Sequence, residues 1–196
     1  SALEVMRQPL EDGKVTISRA AGSFTFPSTF QLVAAMNPCP CGYEGSTQRE
    51  CRCSHVQKKR YRARISGPLL DRIDIHVEVA PLTEKEMLSK PTGEPSAAIR
   101  ERVVGARRIQ YRRFKESTTM WNAAMSSREI QEHCQVEKQG VEILKMAIND
   151  LNLSARAYDR VLRISRTLAD LEAVQTIGAH HIQEAVQYRT LDRNLW

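Results

Sequence analysis

Four cysteines lie within fifteen residues as two C-x-C pairs, Cys39-Pro-Cys41 and Cys51-Arg-Cys53, separated by nine residues. Thiolates are soft ligands, and four of them can close a tetrahedron around zinc. Pro40, Gly42 and Gly45 let the chain turn sharply there, and His55 is near enough to replace one cysteine. The spacing is tighter than the common C-x-x-C knuckle, so a loop of reduced, inert thiols stays open beside a metal seat. Four cysteine ligands leave no open coordination position, so such a seat is structural and not catalytic. The fifth cysteine, Cys134, stands alone and reads as a small buried hydrophobe. This usage is unlike a secreted disulfide scaffold and points to a reducing, cytoplasmic compartment.

Three further residues have phosphate-directed readings, each beside a plainer one. Asn37 ends the apolar run Gln31–Met36, predicted as a buried strand. A side-chain amide beyond the carboxyl end of a strand can orient water or a phosphate oxygen, although an Asn before Pro38 is also a turn residue. Arg72 precedes a second predicted strand, Ile73–Val79. It could offset charge on a neighbouring subunit's γ-phosphate, or it could pair with Asp71 or Asp74. Arg156, Arg160 and Arg163 form an i, i+4, i+7 stripe that is either solvated or phosphate-facing. Two basic runs, Lys58–Arg64 and Arg107–Lys115, interleave Tyr or Phe with Arg. Such surfaces suit a phosphate backbone with stacked bases, or are simply solvated helix faces. Lys58, Lys59, Arg60 and Arg62 are the candidate nucleic-acid contacts. His180 and His181 read as one surface and one core side chain. No G-x-x-x-x-G-K-[ST] loop, G-x-S-x-G elbow or H-E-x-x-H motif occurs.

The elements that must position these residues differ between the two halves of the 196-residue chain. The first half mixes strands and turns. Val15–Ser18 and Phe24–Phe26 alternate around Ala20-Ala-Gly-Ser23 and predict a hairpin. Leu3 to Pro9 reads as a helix already under way, and Gln57 to Leu70 as a helix interrupted near Ser66-Gly-Pro68. Leu88 to Pro95 is a linker by composition. The second half is helical: Ser96–Lys115, a helix opened by the Ser126-Ser-Arg-Glu129 capping box, one over 137–151, one from Ser154 and one over His180–Thr190. Val161, Leu162, Leu168 and Leu171 are the expected core face of the fourth. Hydrophobic residues are 41% and charged residues 27%, ordinary for a globular protein, with a net charge of +6 that permits a nucleic-acid partner. No secretory signal is visible, and no apolar run approaches membrane-spanning length.

Several ordered segments together resemble the C-terminal part of the bacterial magnesium-chelatase-like AAA+ ATPases of the YifB/ComM type. They are Leu3–Gly13, Val15–Ala20, Ala35–Gly42, Cys51–Cys53, Ser66–Asp74 and Leu153–Arg156. The resemblance implies an α/β fold class: a partial AAA+ P-loop-type core with hairpin insert and Cys-rich loop (1–88), a linker (89–95) and an all-α lid domain (96–196). It implies that Asn37 is sensor 1, Arg72 an arginine finger and Arg156 sensor 2, with Asn37 and Arg156 touching nucleotide. Cys39, Cys41, Cys51 and Cys53 match the family's Cys-rich loop, with Zn2+ as the candidate structural ion. The family's Walker A and Walker B elements, which hold ATP and Mg2+, are expected to precede this chain, so the chain alone is expected to be inactive. The implied assembly is an AAA+ ring, expected as a hexamer, cytoplasmic, off the membrane, and remodelling DNA by branch migration. The competing reading is a zinc-stabilised nucleic-acid-binding module without an ATPase role.

Overall fold

The computed structural model describes residues 2–46, 49–89, 93–151 and 153–189. The chain forms two compact units, one running to Ile73 and the other starting at Asp74.

The first unit opens with two short helices, α1 (Ala2–Val5) and α2 (Arg7–Asp12). Strands β1 (Lys14–Arg19) and β2 (Gly22–Pro27) then pair antiparallel around a two-residue turn, with Thr16 opposite Thr25 and Ile17 opposite Phe24. The hairpin is therefore where the alternation places it. Cross-strand hydroxyls bond directly, Thr16 to Thr25 at 2.9 Å and Ser18 to Ser23 at 2.7 Å. After an irregular stretch come α3 (His55–Arg62) and α4 (Gly67–Leu70), separated near Ser66 as the sequence predicts. Ser54 and Gln57 cap α3 reciprocally, and Ser66 caps α4.

Neither predicted core strand forms. Gln31–Met36 is irregular and largely exposed. Ile73–Val79 is also outside any strand; its exposed residues include Val79 at 84%, and the amide of His76 donates to the Tyr188 carbonyl at 2.9 Å. An apolar run or alternating polarity licenses a strand only where another backbone edge completes the ladder. Among the described residues the one sheet is the β1–β2 hairpin, and neither segment joins it.

The second unit is helical: α5 (Glu84–Leu88), α6 (Ser96–Arg113), a short 3-10 turn (Asn122–Ala124), α7 (Ser127–His133), α8 (Lys138–Leu151), α9 (Ala155–Leu171) and α10 (Ala179–Gln187). The short α5 was not expected, although Thr83 and Glu86 carry the capping-box spacing that starts it. Of the expected linker, residues 90–92 lie outside the described residues, as does Thr190 at the expected end of the last helix. Ser126 and Glu129 form the predicted box at α7, the Ser126 amide donating to Glu129 at 2.8 Å. Phe114, Met125, Ile130, Leu144, Val161, Leu162, Ile177 and Ile182 form one buried cluster. Leu168 packs against it, whereas Leu171 is 38% exposed, because it is the last residue of α9 where the helix leaves the core. A parallel bridge from Val136 to Ile177 closes the unit behind α8 and α10. Cys134 is buried with its thiol toward the Leu162 carbonyl, and burial pushes that thiol up to about 11, the inert state expected of it.

Candidate metal centre and the phosphate-directed arginines

The four clustered cysteines converge. Cys39 Sγ lies 3.4 Å from Cys41 Sγ and 3.7 Å from Cys51 Sγ, with Cys41 and Cys51 3.6 Å apart. Cys53 completes a set whose ligand atoms all lie within 4.8 Å of one another. A tetrahedral zinc with bonds of about 2.3 Å separates its sulfurs by about 3.8 Å, so the constellation fits the ion. None of the four is in a disulfide. Gly42 and Gly45 sit at φ +81° and +76°, the left-handed turns that fold each arm of the loop back. Cys39 is fully buried and the others half-buried, which shields the set from bulk water. The backbone amide of Tyr43 draws the Cys41 thiol down to about 6, while burial pushes Cys53 up to about 12.

The loop is also tied to α3. Glu44, between the two pairs, accepts from Arg62 at 2.8 Å and pairs with Lys58 at 3.2 Å. The Glu44 carboxylate raises the Lys58 ammonium above its ordinary range. The four candidate nucleic-acid residues therefore divide: Lys58 and Arg62 brace the Cys loop, and Lys59 and Arg60 remain exposed on α3. Sequence reasoning missed Glu44. Its signal is a single carboxylate within a cysteine loop, followed by a basic helix. His55 starts α3 and is exposed; the cysteines complete the set without it.

Asn37 lies beside the Cys loop, its Nδ2 3.6 Å from the position a Gly42 Cβ would take. It is exposed and follows irregular chain instead of a strand end. Arg72 donates to the Pro68 carbonyl at 2.6 Å and to Glu11, leaving its side chain 10% exposed. Asp74, one of its expected partners, is paired with Arg160. Arg156 is exposed in the first turn of α9, which Ser154 caps. The expected arginine stripe is split by its contacts: Arg160 holds Asp74, and Arg163 donates to the Met125 carbonyl at 2.6 Å.

His181 is buried and His180 exposed, as expected, but both approach the same Glu172 oxygen, at 3.0 and 3.1 Å. The amide of Gly178 donates to His181 Nδ1 at 2.8 Å, so in the neutral ring the proton sits on Nε2, facing Glu172. A ligating histidine needs the opposite arrangement, with the second nitrogen donating outward. This trio is a polar cluster in which His180 Nε2 hydrogen-bonds the Glu172 carboxylate, unlike the thiol set. Asp170, which sequence reasoning also missed, is a buried node: Arg113 grips both its oxygens, Arg166 donates at 3.1 Å and Asn122 at 2.8 Å.

No helix among the described residues is long and apolar enough to cross a membrane. The family profile described as "Magnesium chelatase, subunit ChlI" matches residues 1–87, and that described as "Magnesium chelatase, subunit ChlI C-terminal" matches residues 93–189. The chain is 42% identical over 196 residues to the uncharacterized protein YifB of Salmonella typhimurium, and 43% identical over 194 residues to the competence protein ComM of Haemophilus influenzae. It is 35% identical over 189 residues to the uncharacterized protein Mb2921c of Mycobacterium bovis. The matches cover 98%, 98% and 96% of this chain, and the chain spans 37% of the length of each relative. The chain belongs to the magnesium-chelatase family, as a protein of the YifB/ComM type.

Proposed function

We propose that this chain is the sensing and trans-acting part of an ATP-driven AAA+ ring motor, expected as a cytoplasmic hexamer, that remodels DNA by branch migration. The observation that carries the reading is the family match across both units. Asn37 orients water at the γ-phosphate, Arg72 offsets charge on the nucleotide of the adjacent subunit, and Arg156 couples the helical unit to nucleotide state. ATP and Mg2+ are held mainly by Walker elements that are not in these residues. The chain by itself therefore hydrolyses no appreciable ATP. Arg72 can serve in trans only by leaving Glu11, so a neighbour's phosphate must outcompete that carboxylate. Zinc held by Cys39, Cys41, Cys51 and Cys53 has a structural part, fixing the loop beside Asn37.

The test is ATP hydrolysis by the intact parent protein with and without branched DNA. Stimulation by branched DNA, lost in Arg72→Ala and Arg156→Ala, is the expected result. Hydrolysis indifferent to DNA overturns the DNA assignment, and no hydrolysis at all overturns the motor. The second reading, a zinc-stabilised nucleic-acid module, is favoured by exposed Lys59 and Arg60 on the helix braced to the thiol loop. It requires binding by this chain that weakens steeply with salt and a parent whose activity is indifferent to Arg156→Ala.

A further inference from the structure

We infer that a groove along α6, walled by Trp121, binds single-stranded nucleic acid. This deepens the nucleic-acid part of the proposed function and rests on it, but needs neither ATP nor zinc. The groove is shallow and open to solvent, with a volume of about 500 Å3, and is lined by Val104, Arg107, Arg108, Tyr111, Arg112, Met120 and Trp121. On α6 the lining positions 104, 107, 108, 111 and 112 fall at i, i+3, i+4, i+7 and i+8, a single helix face. That spacing ordinarily marks the face turned to a core. Here the core lies on the other side: Ala106, Gln110 and Phe114 are buried, and Arg113 is drawn to Asp170. The groove face instead carries three guanidinium groups, and no carboxylate lines it.

Its apolar surface is aromatic and accessible. Tyr111 is 73% exposed and Met120 66% exposed. The Arg107 guanidinium lies over the Trp121 ring, 5.4 Å from its centroid, which presents a flat cationic and aromatic platform. The Trp121 backbone is anchored from below, because its neighbour Asn122 donates its amide to buried Gln110 and its side chain to Asp170. A polyanion satisfies the guanidinium groups, and unpaired bases satisfy the ring faces of Tyr111 and Trp121. Single-stranded nucleic acid supplies both in one strand, with phosphates spaced beside stackable bases. A duplex offers only the phosphates, and an acidic peptide offers charge without flat rings.

The experiment titrates the 196-residue chain with a fluorescein-labelled fifteen-nucleotide oligo(dT), a duplex of equal length, and a poly-Glu peptide. Tyr111→Ala is expected to weaken oligo(dT) binding by roughly five- to hundred-fold, the range for loss of one stacked base. Arg108→Ala and Arg112→Ala are each expected to lower the salt slope by about 0.7. Binding should also quench Trp121 emission in a Trp196→Phe background. Arg108, Tyr111 and Arg112 are all exposed, and an unchanged thermal melt confirms that each variant is folded. Tyr111→Ala binding oligo(dT) like the unaltered chain overturns the groove, as does poly-Glu or duplex binding of equal affinity. If Lys59→Ala with Arg60→Ala abolishes binding while Tyr111→Ala does not, the groove falls and the nucleic-acid reading stands. No binding of any oligonucleotide overturns the groove and leaves the ATPase test to decide the motor.

Discussion

The two units hold themselves together in different ways. Among the described residues, the unit ending at Ile73 buries few apolar side chains, chiefly Leu69 and Leu70, along with Cys39. Its order comes from a hairpin, helix caps, ion pairs at Glu44 and Glu11, and the convergent thiols. The unit from Asp74 onward has a continuous core around Val161, Ile177 and Ile182, with Asp170 satisfied by four donor contacts beside it. A unit with its own core is stabilised by burial that needs no ligand. A unit without one depends on whatever its exposed edges and ligand atoms bind.

That contrast sets an order of expected effects. Asp170→Ala should be the most damaging change, because it leaves the Arg113 and Arg166 charges without their shared carboxylate. Breaking a buried pair from one side costs about 3–5 kcal/mol, and the helical melting transition should fall by on the order of 15 °C or more. A shift of only a degree or two would show that solvent reaches the node.

Metal removal should be equally sharp but confined to the other unit. Freshly purified, reduced chain should carry close to one zinc per chain. A chelator, or Cys41→Ser, should open residues 39–53 to protease while the helical transition stays in place. Because the ion binds thiolates, zinc affinity should fall as pH falls and protons compete for the sulfurs. Loss of the whole melt on chelation would erase the distinction between the units, and a loop equally protected without metal would withdraw the centre.

Capping effects come next. Ser126→Ala should destabilise the helical unit by about 1 kcal/mol, read from the same melt. Its acid counterpart follows from Glu129, whose carboxyl is held down to about 2 by the Ser126 amide first and then by the hydroxyls of Thr119 and Ser126. A carboxyl depressed in the folded state stabilises above its unfolded value, about 4.3, and loses that contribution as pH falls toward 2. Glu129→Gln should therefore flatten part of the stability decline between about pH 4.5 and 2. Since Glu129 is only half-buried and its partners lie at the surface, the change should be small, and an identical acid limb in the variant would remove it as a cause. Smallest of all, Thr16→Ala deletes one exposed cross-strand hydroxyl bond and should cost a few tenths of a kcal/mol. Amide exchange in β1 and β2 would show it where the global melt does not.

Local signals in the sequence determined the hairpin, the helical second half, the Ser126 box and the burial of Cys134, and they marked the four cysteines of 39–53 that the fold brings together. Each is written within a few residues, where turn chemistry, capping geometry and ligand type act. Ordered motifs also determined the family. The tertiary structure decided what local pattern cannot express. Gln31–Met36 is an apolar run and Ile73–Val79 alternates like a strand, yet neither forms one, because a ladder needs a second edge and a local pattern does not supply it. Arg160 and Arg163 look like members of a free stripe, but Asp74 and the Met125 carbonyl claim them across long sequence separations. Glu11, Glu44 and Asp170 acquire their roles only through partners brought near by folding. The charge of a side chain is fixed by its type, whereas whether it faces solvent, phosphate or another side chain is fixed by what folding places beside it.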